Sequence, residues 1–293
     1  MIVITTPTGQ IGRQVLGTVL ATGKEPVRVI ARDPSRLSPD VRERVEVVTG
    51  SHDRLDVLTE ALDGAGAVFW VVPPDPRADS VEGHVLGFAR PLCEAIADRG
   101  VQRVVGVSTL GRGWAGNAGQ ISAALAMDEM IEGIGVDYRA LLMPGFMENL
   151  LQQAGVIRSQ GVFFLTLSGD RRNPACATRD IAAVAARLLL DDSWSGQEGV
   201  PVLGPEDLSP NDMARIMSEV LGRPIRFQQL SGEAYKATLM RNGVSEAWAQ
   251  GIVDMGAAID QGLYRAQPRT PESTTPTGFR QWCEEVLKPA VAG

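Results

Sequence analysis

The sequence predicts an α/β fold, a doubly wound parallel sheet of the Rossmann type carrying a smaller, mainly helical C-terminal lobe. Three observations lead there. Short apolar, β-branched segments alternate with helical patterns through the first 150 residues. Those segments are apolar on both alternating sets of positions, as in a parallel sheet covered by helices on both faces. A glycine-containing turn joins the first strand to the first helix.

The elements follow in order. Residues 2–5 read as a buried strand, and Ile11, Val15, Leu16, Val19 and Leu20 repeat at helical spacing after Gly9 and Gly12. Strands are expected at 27–31, 45–48, 67–72, 104–107 and 136–142, with helices at 55–62, 81–98 and 121–134 between them. Short right-handed connections turn this alternation into one twisted sheet. The second half is less regular. Thr178 is expected to cap a helix running to Leu189. Ser209-Pro210-Asn211-Asp212 combines a capping Ser, a Pro at the first helical position and an early acid, so a helix should run from there to Gly222. Short strands at 200–203 and 225–229, helices at 234–240, 246–259 and 279–287, and a Pro/Thr-rich arm at 266–278 complete it. The division expected is a nucleotide-binding domain over 1–150 and a substrate lobe over 151–293, interleaved with it.

Composition narrows the function. The 293 residues are 44% hydrophobic, enough for a packed core, with no apolar run long enough to span a bilayer. Net charge is −7 with scattered Lys and Arg, which argues against a nucleic-acid surface. Met1 leads directly into Ile2-Val3-Ile4 rather than into a signal sequence, and three separated cysteines imply neither a disulfide framework nor a zinc site, so a cytoplasmic setting is expected. Two histidines exclude a multi-His metal site, and no metal is expected.

Thr6-Pro7-Thr8-Gly9-Gln10-Ile11-Gly12 carries the chemistry. Small residues let backbone approach a pyrophosphate, and the helix N-terminus adds N–H donors and partial positive charge. Gly9 and Gly12 fit the later two glycines of a dinucleotide turn. Thr6 replaces the first, and Pro7 should bias Thr6 toward extended geometry, giving a turn unlike the glycine form. Arg32 ends the second strand where NAD-specific domains place an acid. It suits the 2′-phosphate of NADP(H), with Arg36 in support, so NADP(H) is expected over NAD(H). Asp33 opposes that reading, and the alternative is a solvated Arg32 paired with it. The Tyr-x-x-x-Lys pair of short-chain dehydrogenases is missing: Tyr138, Tyr235 and Tyr264 have no Lys four residues on. His84 and Thr109 are then the candidate proton donors, set against a surface histidine and a loop cap. Ser108 and Thr109 end the fifth strand, where their hydroxyls face the nicotinamide side. Trp114, Phe146 and Met147 are candidates to wall an apolar substrate pocket, with core packing as the alternative. Asn149, three residues after Phe146, is counted with them.

With these pieces assembled, the chain resembles the NmrA-like family of atypical short-chain dehydrogenases. The resemblance rests on Thr8-Gly9-x-x-Gly12, Ala31-Arg32-Asp33-Pro34, Val105-Gly106-Val107-Ser108, Leu203-Gly204-Pro205-Glu206 and, most specifically, Pro144-Gly145-Phe146-Met147-Glu148-Asn149. It implies pyrophosphate contacts at Thr8, Gly9, Gln10, Ile11 and Gly12, the 2′-phosphate at Arg32, and a ribose lined by Val72 and Pro73; Thr6, Ser108 and Pro144 join them as cofactor contacts. The family includes quinone, triphenylmethane-dye and azo reductases and cofactor-sensing regulators. The expectation is an NADPH-dependent reductase of a small apolar or aromatic acceptor (a quinone, enone or ketone); the alternatives are a non-catalytic NADP(H) sensor and a non-redox enzyme on the same fold. Two departures, Glu129 in place of a Lys and Met143 in place of an Arg, remove positive charge and disfavour an anionic substrate. The arm at 266–278 offers a reach to a second subunit, making a homo-oligomer possible.

Overall fold

The computed structural model describes residues 1–292. Seven parallel strands form the main sheet: β1 (Ile2–Ile4), β2 (Val27–Ala31), β3 (Glu46–Thr49), β4 (Ala67–Trp70), β5 (Arg103–Val107), β6 (Asp137–Leu142) and β10 (Gln197–Pro201). Their spatial order is β10-β6-β5-β4-β1-β2-β3. The order reverses direction between β1 and β4, and that switch opens a crevice at the carboxyl ends of the strands.

Side chains alternate between two cores. Ile2, Ile4, Ala67, Phe69, Val105 and Leu141 face one side, under α1 (Gly12–Thr22) and α7 (Thr178–Leu190). Val3, Val68, Trp70, Val104 and Tyr138 face the other, under α3 (Leu55–Ala61), α4 (Val81–Arg99) and α5 (Gln120–Gly133). The short α2 (Pro39–Arg42) lies between β2 and β3 in sequence. Both faces are thus buried, which explains the unbroken apolar strands of the sequence. The seventh strand and α7 come from beyond residue 150, so the sheet is built from both halves of the chain.

The lobe has its own core of Met147, Phe163, Leu208, Met217, Phe279, Trp282 and Leu287. Around it lie β7 (Gly145–Phe146), α6 (Ala154–Gln160), β8 (Val162–Leu165), β9 (Asn173–Cys176), β11 (Asp207–Leu208), α8 (Pro210–Leu221), β12 (Arg226–Gln229), α11 (Phe279–Trp282) and α12 (Lys288–Ala292), while α9 (Gly232–Arg241) packs on α10 (Glu246–Asp260), whose Ala258 and Ile259 join the sheet core under α4 and α5. Helix α8 starts as its sequence requires. Ser209 and Asp212 form a reciprocal capping box, Pro210 is the first helical residue, and Gly222 closes it in the left-handed conformation.

Two expectations need correction. Thr178 does not cap α7; it is the first helical residue, and the buried Glu148 carboxylate accepts its N–H (3.0 Å) and hydroxyl (2.9 Å) instead. A carboxylate at a helix N-terminus also meets the positive end of its dipole. The Pro/Thr arm does not reach away from the chain. Its Thr277 is bonded to Asp180, Thr275 N–H donates to Leu203 O (2.7 Å), and Arg269 Nε–H donates to Gly204 O (2.8 Å). No helix among the described residues is long and apolar enough to cross a membrane.

Candidate nucleotide site

The turn after β1 is built from backbone. Thr6 has φ +50°, in the left-handed region, so the expected extended geometry is wrong and the turn takes the glycine form despite its Thr. Its carbonyl accepts the Gly9 N–H (2.9 Å). A Cβ at Gly12 would lie 2.1 Å from that same carbonyl oxygen, so this position admits only glycine. Helix α1 begins here with no acid in its first turn. The N–H groups of Gln10 and Ile11 have no backbone acceptor among the described residues. Free donors at a helix N-terminus are what an anionic group needs. Ile11 contributes backbone alone, since its side chain is buried in the sheet core. Gln14 steadies the turn, donating to Gln10 O (2.7 Å) and to Thr178 Oγ1 (3.0 Å) on α7.

Arg32 follows β2 and is exposed, with no ion pair among the described residues. Asp33 does not claim it. The Asp33 carboxylate accepts from Ser35 Oγ (2.6 Å) and Ser35 N (3.0 Å), and these bonds hold its pKa below the usual carboxylate range. The alternative of an Arg32–Asp33 pair is therefore not what the chain forms.

The peptide after β4 is pinned on both sides. Thr5 Oγ1, fully buried, donates to Phe69 O (2.9 Å) and accepts the Val71 N–H (3.1 Å). His52 Nε2–H donates to Val71 O (2.9 Å). A carbonyl only accepts, so the bonded nitrogen carries the proton. Burial holds the His52 pKa down at about 4, so the ring is neutral near pH 7. Its ring packs edge-on against Trp70 and Phe88. Neither Thr5 nor His52 was singled out by sequence reasoning. Val72 and Pro73 come next, and Pro73 O accepts from His84 Nε2 (2.8 Å). His84 thus anchors this loop through one ring nitrogen. The lobe clasps the loop further along, where Ser245 donates to Pro76 O and Ala78 O.

The end of β5 is organised by side chains. Ser108 Oγ donates to Asp128 Oδ2, Tyr138 Oη donates to Asp128 Oδ1 (2.7 Å), and Arg112 reaches both Asp128 (3.2 Å) and Glu132 (2.7 Å). Asp128 is buried, and desolvation raises its pKa against the pull of these partners. Tyr138 crosses over Gly106 to reach it: a Cβ there would lie 2.4 Å from the phenol oxygen. Sequence reasoning missed Asp128. Its signal was a single acid on the buried stripe of α5, seven residues after Ile121 and three before Ile131.

Thr109 Oγ1 bonds to Leu110 O (3.1 Å). Pro144 is buried just past β6. The expected substrate residues are not gathered together. Phe146 and Trp114 are half-buried against opposite sheet cores, Met147 lies inside the lobe core, and Asn149 is exposed. Met143 is buried in the sheet core and Glu129 is exposed on α5, so Met143 removes no charge from an open surface. A cleft of about 970 Å³ opens elsewhere, on the lobe, lined by Arg171, Arg172, Asp207, Asp212 and Arg265 among others. Its acids and bases balance, and none of the expected cofactor contacts lines it.

Thr6, Arg32, Val72, Ser108 and Pro144 therefore follow five neighbouring strands, all at the carboxyl edge, with the glycine turn at the switch point. A family model described as NAD(P)H-binding matches residues 7–192. The chain belongs to this NAD(P)H-binding family. It is 34% identical over 259 residues, 85% of each chain, to a (4-alkanoyl-5-oxo-2,5-dihydrofuran-3-yl)methyl phosphate reductase of Streptomyces griseus. It is 29% identical over 259 residues, 88% of this chain and 86% of the other, to an NAD(P)H azoreductase of Xenophilus azovorans. The triphenylmethane reductase of a Citrobacter species, solved with NADP(H), superimposes with a TM-score of 0.80 at 18% identity over 99% of this chain and 100% of that one, which speaks for the fold. The kinship with dye and quinone reductases read from the sequence holds, a quinone oxidoreductase 2 of Escherichia coli being 24% identical over 265 residues, 89% of each chain.

Proposed function

We propose that the protein is an NADPH-dependent reductase of a small, conjugated or aromatic acceptor, a quinone, enone or conjugated ketone, working in the cytoplasm. The observation that carries the cofactor choice is the unpaired Arg32 guanidinium beside the glycine turn, with Asp33 turned away to Ser35. The free amides of Gln10 and Ile11 fit a pyrophosphate, and the guanidinium fits a 2′-phosphate. Bound NADPH would supply the hydride. The chain's part is to orient it. Val71, fixed by Thr5 and His52, sets the height of the β4 end beneath the dinucleotide, and the lobe's bonds to Pro76 and Ala78 hold the loop that lines it. Thr6, Thr8 and Gly9 would surround the phosphates, with Ser108 and Thr109 toward the reacting end.

The acceptor class rests on the relatives. The name of the Streptomyces griseus reductase describes a ring alkene bearing two carbonyl groups, and the other relative is an azoreductase. Both describe conjugated acceptors, which take a hydride with less help from a strong acid than an isolated carbonyl needs. The missing Tyr-x-x-x-Lys pair agrees with such a substrate.

Titration of cofactor fluorescence with NADPH and NADH, continued into turnover with quinones and conjugated ketones, tests the proposal. The expected result is preference for NADPH over NADH, a fall of about 10- to 100-fold in NADPH affinity in Arg32→Ala with NADH affinity unchanged, and consumption of NADPH. Binding without consumption would instead make the protein a sensor or a non-redox enzyme.

A further inference from the structure

The proton that must accompany each hydride has no donor in the sequence pattern, but the buried cluster at the end of β5 offers one. We propose that Asp128 stores this proton and Ser108 hands it to the acceptor, so that Ser108 is the group touching substrate and Asp128 acts through it. This rests on the reductase reading above.

Placement comes first. Ser108 is the first residue after β5, at the crevice edge, and its hydroxyl meets Asp128 Oδ2. Asp128 is reached by three groups, Ser108 just past β5, Tyr138 from β6 and Arg112 from the loop after β5, and Glu132, one turn along α5, is joined to it through Arg112. The carboxyl is closed to solvent, while Arg112 is 39% exposed and Glu132 24%. The cluster therefore runs from water at its rim to the crevice at its tip. A cluster with no other purpose than packing would be cheaper as apolar residues, because burying a carboxylate needs every one of these partners. Burial also favours the protonated carboxyl, which is the form that can give a proton.

The step balances as follows. A carbonyl-conjugated acceptor takes a hydride at carbon from dihydronicotinamide, which is oxidised; the acceptor is reduced and its π pair moves to oxygen. When Asp128 is protonated, its Oδ2–H donates to Ser108 Oγ, the reverse of the bond to the carboxylate, and the Ser108 proton is free to face the acceptor; the Ser108 O–H bond then breaks as the new O–H bond forms on the acceptor, and the Asp128 O–H proton moves to Ser108 Oγ. The carboxylate left behind is held by the Tyr138 hydroxyl and Arg112, and regains a proton from water at the Arg112 rim.

The test pairs kinetics with a measurement that needs no turnover. In protein carrying ¹³C-labelled Asp, with Asp128→Asn assigning the signal, the Asp128 carboxyl should titrate above the ordinary carboxylate range and higher still in Arg112→Gln, where the cation is gone. The rate should fall as pH rises through that value, and Arg112→Gln should carry the falling limb upward by the same amount. Ser108→Ala, which leaves the Tyr138 and Arg112 bonds in place, and Asp128→Asn should each slow turnover at saturating NADPH by about 100-fold. A wild-type protein that binds NADPH and reduces nothing overturns the reductase reading and this path with it. Wild-type turnover combined with an unmoved limb in Arg112→Gln, or with an Asp128 that ionises in the ordinary range, overturns the proton path alone.

Discussion

The two ends of the crevice are made differently. At the β1 turn the working groups are peptide N–H and C=O, and side chains matter by being absent: Gly9 and Gly12 clear the space around Thr6 O. At the β5 end the working groups are side chains, and three of them converge on one buried carboxylate. A backbone site is specified within seven residues. A side-chain site needs α5, β5, β6 and a loop to arrive together. The contrast teaches that one active crevice can join a part tolerant of remote change to a part that depends on the whole sheet.

Two glycines put this to the harshest test. At Gly12 an added Cβ would meet a backbone oxygen at 2.1 Å, and at Gly106 it would meet the Tyr138 hydroxyl at 2.4 Å. Gly12→Ala must displace the turn itself, so we expect NADPH affinity to fall by more than about 100-fold and stability to fall by about 4 kcal/mol. Gly106→Ala must push Tyr138 off Asp128, costing about 3 kcal/mol through overpacking and a lost buried hydrogen bond. Its NADPH affinity should stay close to wild type. Urea unfolding and cofactor titration on both variants decide the matter. Equal loss of affinity in the two would mean that the ends are not separable.

His52 sharpens the comparison, because it is a side chain supporting the backbone-built end. Its pKa is lowered by burial from 6.5 to about 4. The unfolded chain therefore takes up a proton between these values that the folded chain refuses. Stability from this group is fully present above about pH 6.5 and is lost as pH falls toward 4, by about 3 kcal/mol in all. Urea midpoints measured from pH 7 to 4 should fall more steeply in the wild type than in His52→Gln. Parallel curves would show that the Val71 carbonyl does not depend on a neutral ring.

What could be read from the sequence divides along the same line. The first six strands, the glycine turn, Arg32 at the end of β2 and the Ser209 cap of α8 all depend on neighbours within a few residues, and each is within a residue or two of where the pattern puts it, whereas the strand expected at 200–203 begins at Gln197 and the short strands β7, β8, β9 and β11 left no pattern of their own. Asp128 depends on Ser108, twenty residues away, and on Tyr138 in another strand; His52 depends on Val71 and Phe88. Thr178 has the right chemistry for a cap and lost the role to Glu148, thirty residues earlier, because a tertiary carboxylate was better placed. Met147 was read as pocket wall because its motif follows a strand end, yet the chain turns it into the lobe core. Local rules fail at these positions because distant partners supply the larger free energy.

The smallest expected effect concerns the one residue that breaks the backbone rule. Thr6 holds φ +50° with a β-branched side chain, a conformation that costs an L-residue about 1–2 kcal/mol. Thr6→Gly removes that strain but adds freedom to the unfolded chain, which returns about 0.5–1 kcal/mol. The net gain should be below about 1 kcal/mol, a rise of a few degrees at most in Tm. If the β1 end is purely a backbone device, NADPH should bind the variant at least as well as the wild type. The Thr6 hydroxyl, however, sits 3.0 Å from where a Gly12 Cβ would be, on the inside of the turn. A more stable variant that binds NADPH more weakly would therefore assign the Thr6 hydroxyl a phosphate contact of its own, and the two ends of the crevice would differ in degree rather than in kind.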